Sequence, residues 1–203
     1  MSLREEFVKA IELHQPAFGF EPSANVITML ANHFDLVMQH NPLLHLTAPA
    51  SAEEFAIRHM LESLTMLEFL PEGARFADVG SGAGFPAIPC LIARGDLRGV
   101  LIESKEKKAA FLESVVTRCD IDGRAEIVNK QFSETPLPNV SHVSCRALDK
   151  FTQHLPKLIK WGGDRRMLFF GGPALRDEMA RLGLKFEEKL MPMSEQRYLF
   201  VSR

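Results

Sequence analysis

The sequence predicts an α/β fold, a seven-stranded, mostly parallel sheet with helices on both faces and a helical N-terminal extension. Three observations predict it. From residue 74 onward, short β-prone runs alternate with helical ones. The first of those runs ends in a glycine cluster, "DVGSGAG", before the next helix begins. The residues ahead of it carry helical periodicity only. With 203 residues, the chain is long enough for one core and a small appendage.

The elements follow in order. Leu3, Phe7, Ala10, Ile11 and His14 recur at helical spacing over residues 2–14. "QPAFGFEPS" breaks that pattern. Ser23 caps a second helix whose apolar face is Val26, Ile27, Leu30, Phe34 and Val37. "HNPLLHLTAPA" is a connector with two prolines. Ser51 and Glu54 form a capping-box pattern opening a third helix, "AEEFAIRHMLESLTMLEFL", and "PEG" stops it. These signals place the extension over residues 1–50 and the sheet domain over 51–203. The β-prone runs are "ARFADVG", "RGVLIES", "AEIVNK", "SHVSCRA", "RRMLFFGG", "LKFEEKLM" and "QRYLFVSR". Helices fit between them at 86–94, 105–119, 149–161 and 173–182. No helix separates the last two runs, so they are expected to pair antiparallel.

Composition narrows the function classes. The formal net charge is −2, so any nucleic-acid contact is a local patch, not a broad basic face. Cys90, Cys119 and Cys145 lack paired spacing and read as free thiols in a reducing cytosol, without a disulfide or metal site. The N-terminus is amphipathic and acidic, unlike a secretory signal, and no apolar run suffices to span a bilayer. A cytoplasmic location without a membrane partner is expected.

The glycine cluster asks what lies against bare backbone. Asp78 ends a strand, and Gly80, Ser81, Gly82 and Gly84 precede a helix with Pro86 in its first turn. In a doubly wound sheet this turn borders the ligand crevice. A dinucleotide fingerprint would require glycine at Phe85, and no Walker lysine follows. The spacing D-x-G-x-G-x-G is instead that of class I S-adenosylmethionine-dependent methyltransferases, a Rossmann-like fold. Glu103 closes the second strand about twenty residues on, where a carboxylate accepts both ribose hydroxyls. A tight turn with no ligand is the plainer alternative; the strand, helix and Glu103 in register count against it.

Elimination narrows the acceptor without naming it. Adenine-N6 enzymes carry an Asn/Asp-Pro-Pro-aromatic motif, and the corresponding stretch here is "VSCRALDK". Pyrimidine-C5 enzymes need a thiol nucleophile, but Cys90 and Cys145 lie in contexts that suit buried small side chains. Guanine N7 has an in-plane lone pair and no proton to remove, so alignment suffices and no catalytic residue is assigned.

Several segments together resemble the bacterial 16S ribosomal RNA guanine-N7 methyltransferases, also called glucose-inhibited division protein B. "HLTAPASAEEFAIRHMLESL" is similar to that family's N-L-T…R-H-x-x-D-S segment, through Leu46, Thr47, Arg58, His59 and Ser63. "FADVGSGAGFPAIPC", "LIESKEKKAAFL", "SCRAL" and "QRYLFVSR" resemble its later motifs. The resemblance implies methyl transfer from S-adenosylmethionine to N7 of a guanine in the decoding-region loop of 16S rRNA. The partner would be the small ribosomal subunit or an assembly intermediate, and the protein a monomer. Cofactor contacts would be Gly80, Phe85, Glu103, Gln131, Phe132 and Arg146, and RNA contacts Lys130, Arg146 and Arg197. Ala83 and Ala87 replace frequent family glycines, Phe132 an acidic residue, Gly171 a lysine and Tyr198 a histidine. These departures keep two alternatives open: a small-molecule methyltransferase, and a cofactor-binding protein with weakened transfer. His59 reads equally as structural or catalytic, and "ESKEKK" as a solvated helix face.

Overall fold

The structure, a computed structural model, describes residues 1–148 and 150–202. Asp149, the predicted start of one helix, and Arg203, the end of the last β-prone run, lie outside the described residues.

Helix α1 (Leu3–His14) opens with a capping box. The Ser2 hydroxyl accepts from the Glu5 N–H, and the Glu5 carboxylate accepts from the Ser2 N–H. It buries Phe7, Ala10 and Ile11, whereas Leu3 is left on the surface. Helix α2 (Ala24–Leu44) is capped by Ser23 and buries Leu30, Phe34 and Val37. Phe7 stacks on Phe34 at 4.4 Å, and Phe55 meets Phe34 edge-on at 5.1 Å. The first two helices therefore share a core with the third helical segment.

That third segment is not one α-helix, as its periodicity predicts. It runs as α3 (Ala52–Phe55), a π-helical stretch (Ala56–Leu61), α4 (Glu62–Leu64) and a 3₁₀ turn (Thr65–Phe69). A π-helical turn inserts residues without breaking the rod, so apolar spacing alone does not reveal it. It carries Arg58 and His59.

The strands are β1 (Arg75–Val79), β2 (Arg98–Ile102), β3 (Ala125–Val128), β4 (His142–Arg146), β5 (Arg166–Gly171), β6 (Phe186–Leu190) and β7 (Tyr198–Ser202). They form one sheet in the order β3-β2-β1-β4-β5-β7-β6. The first five are parallel, and β7 runs antiparallel to both β5 and β6. The intervening helices are α5 (Ala87–Ala93), α6 (Glu106–Arg118), α7 (Phe151–Gly162) and α8 (Pro173–Arg181). Two apolar clusters cover the two faces. One joins Phe7, Phe34 and Phe55 to Ile88, Leu91 and Leu112. The other joins Val143, Leu155, Leu158, Phe169 and Phe200. Chain order reverses between β1 and β4, and this switch point opens a crevice at the strands' carboxyl ends. No helix among the described residues is long and apolar enough to cross a membrane. All three cysteines are buried, and burial pushes their thiols up, that of Cys119 to about 12.

Candidate methyl-donor cleft and its basic neighbour

The glycine turn is pinned to the next strand. The N–H groups of Gly80 and Ser81 both donate to the Ile102 carbonyl, at 2.9 and 3.2 Å. Glu103, directly after that strand, reaches back. Its Oε2 accepts from the Gly82 N–H at 2.9 Å, and its Oε1 from the Lys105 N–H at 2.8 Å. Gly82 has φ +54, and a Cβ there would meet nothing nearer than the Gly80 carbonyl at 3.7 Å. Gly84 differs. Its φ is +90, and a Cβ would strike Ile88 Cγ1 at 2.5 Å. Its missing side chain makes room for the protein's own packing, and it does not line the cleft. Ala83 is not among the residues with positive φ, so alanine is unstrained there.

A cleft of about 430 Å³ lies over this turn. It brings together Gly80, Ser81, Gly82, Phe85, Glu103 and Arg146 from the predicted set. Asp78 sits fully buried beneath it. Its Oδ1 accepts from the Ser144 hydroxyl at 2.7 Å, and its Oδ2 has no partner among the described residues. Burial pushes this carboxyl up to about 7, against the pull of the hydrogen bond from Ser144; the Ser81 hydroxyl donates to the Asp78 backbone carbonyl at 3.0 Å. Phe85 is stacked between two imidazoles, His33 at 4.9 Å and His59 at 5.1 Å between centroids. His33 Nε2 donates to the Ala83 carbonyl at 2.7 Å. Burial pulls His33 down to about 4. His59 falls to about 3 through burial, then the charges of Arg146, Arg58, His33 and Arg197. Both rings are neutral at neutral pH.

Arg146 stands at the mouth of β4 and joins this cleft to a smaller one of about 250 Å³ over β5 and β7. It is held from three sides. Its Nη2 donates to Glu62 Oε2 at 3.0 Å and to the Arg58 carbonyl at 2.5 Å; its Nη1 reaches Ser63 Oγ at 3.4 Å. Arg197 Nε donates to the other oxygen of Glu62 at 2.5 Å. The Glu62 side chain is 1% exposed. A larger hollow, about 640 Å³, lies at the amino-terminal end of β5 near Arg165 and Lys185, and shares no lining residue with the glycine cleft.

Residues 26–196 match the family model described as rRNA small subunit methyltransferase G. The chain belongs to that family. The Ribosomal RNA small subunit methyltransferase G of Nitrosomonas eutropha is 30% identical over 190 residues, covering 89% of this chain and 88% of that one. Those of Pelotomaculum thermopropionicum and Sorangium cellulosum are 39% and 42% identical over 112 and 102 residues, or 51% and 49% of this chain. Against those two the chain spans about half their length, 47% and 43%. Solved structures support the class I methyltransferase fold alone. Magnesium protoporphyrin IX methyltransferase from Synechocystis with bound SAM has TM-score 0.61 at 13% identity, covering 85% of this chain and 97% of that one. An RNA methyltransferase from Salinibacter ruber in complex with S-adenosyl-L-homocysteine has TM-score 0.54 at 16% identity, covering 68% and 85%.

In this member of the methyltransferase G family, not every residue singled out from sequence reaches the cleft. Gln131 is exposed, opening a 3₁₀ turn at Phe132–Glu134. Phe132 packs edge-on against Trp161 at 5.9 Å, and Trp161 Nε1 is tied to the Thr135 carbonyl at 2.7 Å. Neither lines the cleft, because the apolar cluster under α7 takes the phenyl ring. Lys130 is exposed at the end of β3. Arg197 lies in the smaller cleft, beside Tyr198 and Gly171. A Cβ at Gly171 would meet Leu175 Cδ2 at 2.5 Å, so Leu175 packs into the space a side chain there would take. Sequence reasoning missed Glu62, His33 and a lining role for Lys105 and Lys108. A lone carboxylate in the apolar run "HMLESLTM" was the available signal for Glu62, since such a group is rarely buried unpaired.

Proposed function

We propose that this chain transfers the methyl group of S-adenosylmethionine to N7 of a guanine in the decoding-region loop of 16S rRNA, within the small ribosomal subunit or an assembly intermediate. The observation that carries this reading is the family match over residues 26–196, laid on a cleft with the donor's chemistry. The residues present fit that donor. Gly82 leaves space where any side chain would intrude. Each Glu103 oxygen accepts one backbone N–H and keeps a second lone-pair direction for a ribose hydroxyl.

When bound, S-adenosylmethionine supplies an electrophilic methyl on a sulfonium. Glu103, directly after β2, would hold the ribose hydroxyls, and the glycine turn and Arg146 would line the rest of the donor's cleft. The acceptor base then enters from the smaller cleft that shares Arg146. Guanine N7 has no proton to lose, so the chain's task is alignment and exclusion of water. Methyl transfer leaves the product ring cationic. Glu62 offsets one of the two guanidinium charges it pairs with, Arg146 and Arg197, and the neutral His59 adds none. Arg197 and the face around it would take RNA phosphates.

The test is incubation of labelled cofactor with undermethylated small subunits, followed by mapping of the label. One labelled guanine, at N7, is expected. Label recovered in a soluble acceptor and absent from RNA would favour the small-molecule reading. Cofactor binding with no methyl moved to any acceptor would favour the weakened-transferase reading.

A further inference from the structure

Residues 45–51 join α2 to the third helical segment; the sequence reads "HNPLLHLTAPA", 40–50, as the connector, but α2 carries Pro42 within it and runs on to Leu44. The structure anchors them firmly. Helix α2 ends with His45 in the left-handed region, φ 48, and Lys108 Nζ on α6 donates to the His45 carbonyl at 3.2 Å. Asn41 fixes the next two residues. Its Oδ1 accepts from the N–H groups of Leu46 and Thr47 at 2.8 and 2.9 Å, and its Nδ2 donates to the Thr47 carbonyl at 3.1 Å. Three hydrogen bonds from one side chain hold a segment that has no ladder of its own.

That segment forms one wall of the 430 Å³ cleft, through Leu46, Thr47 and Ala48. Glu103, Lys105 and Lys108 line the same cleft, and the Lys108 bond to His45 places the wall at the Glu103 end, where ribose and adenine belong. The Thr47 Oγ1 is buried and has no partner among the described residues. An unmet buried hydroxyl costs about 1–3 kcal/mol, and valine would fill the same space without it. No hydrogen bond among the described residues holds the hydroxyl in its present rotamer, so a step to another χ1 well to meet a ligand breaks no protein bond.

We propose that the 46–48 connector is the outer wall of the donor site and that the Thr47 hydroxyl hydrogen-bonds the adenosine half of the bound cofactor, an inference that rests on the methyltransferase reading above. The N-terminal helices are then part of the donor site, holding it closed through Asn41.

The experiment measures S-adenosylhomocysteine binding by calorimetry on the full chain, with ligand-free melts alongside, for wild type, Thr47→Val and Thr47→Ser. Loss of the hydroxyl in Thr47→Val is expected to weaken binding about tenfold. Thr47→Ser, which keeps it, should stay within about threefold of wild type. The ligand-free Thr47→Val protein should melt no lower than wild type, since it loses an unsatisfied group. Valine binding as tightly as wild type, or serine binding as weakly as valine, would overturn the inference. Failure of the wild type itself to bind S-adenosylhomocysteine would overturn the cofactor reading and this inference with it.

Discussion

Gly82 and Gly84 look equivalent in the string "GSGAG", yet only one faces the cleft. An aspartate at Gly82 enters the left-handed region at small cost, because Asp visits it more readily than most residues. Its carboxylate would then occupy the cleft next to Glu103. Gly82→Asp is expected to weaken S-adenosylhomocysteine at least about a hundredfold while moving the melting midpoint only a few degrees. Unchanged binding would remove the turn from the donor site. Gly84→Ala should do the reverse. Its Cβ meets Ile88, so it should destabilise by about 2 kcal/mol in urea titration and leave affinity per folded molecule intact. Sequence spacing identified the turn but not this division, because packing behind a turn is set by side chains distant in the chain. Asp78 carries a third test. Its carboxyl is raised from 3.8 to about 7, so the folded state holds a proton that the unfolded state has lost between those values. Stability from this group therefore falls as pH rises through that window. Asp78→Asn cannot titrate, and keeps an oxygen for Ser144 to bond. The variant should gain on wild type by up to about 1.4 kcal/mol per pH unit from pH 4 to 7, measured as unfolding free energy. Parallel profiles would show that Asp78 is ionised as an ordinary carboxylate.

At the scale of elements, the alternation of strands and helices was legible because the central strands are buried apolar runs and helices such as α6 and α7 are amphipathic; the helices at 86–94, 105–119 and 173–182 were placed within a residue or so. The π-helical stretch at Ala56–Leu61 was not. Its function is local. It presents the Arg58 carbonyl to Arg146, and the α-helical turn after it points Glu62 at the same guanidinium. The network depends on tertiary contact between residues more than eighty apart in sequence, which no local pattern encodes. Arg146 is itself almost buried, its side chain 14% exposed, so Glu62 is its main compensation. Removing one partner of such a pair leaves the other charged and unmatched. Glu62→Ala is expected to cost about 3–5 kcal/mol in urea unfolding. A loss below about 1 kcal/mol would mean that solvent already screens Arg146, as it screens surface pairs.

At the scale of the whole molecule, the division into an extension over 1–50 and a domain over 51–203 meets a core that crosses it. Phe7, Ile11, Leu30, Phe34 and Val37 come from the first two helices and are buried in the same cluster as Phe55, Ile88 and Leu112. Each such side chain is worth about 1.5–3 kcal/mol when fully buried. Five of them together rival the whole net stability of an ordinary domain, about 5–15 kcal/mol. Deletion would also expose Phe55 and Phe85, which pack edge-on at 5.7 Å behind the glycine turn, and would take away His33, which stacks on Phe85. The 51–203 fragment is therefore expected to lack a cooperative thermal transition by circular dichroism and to bind S-adenosylhomocysteine no better than about a hundredfold below the full chain. A sharp melt for the fragment, with affinity retained, would make the N-terminal helices an appendage in energy as well as in sequence. It would also place the donor site wholly within the sheet domain. The alternation of strands and helices shows where the sheet begins, but burial decides what the folding unit is, and here the buried aromatic cluster sits across the boundary.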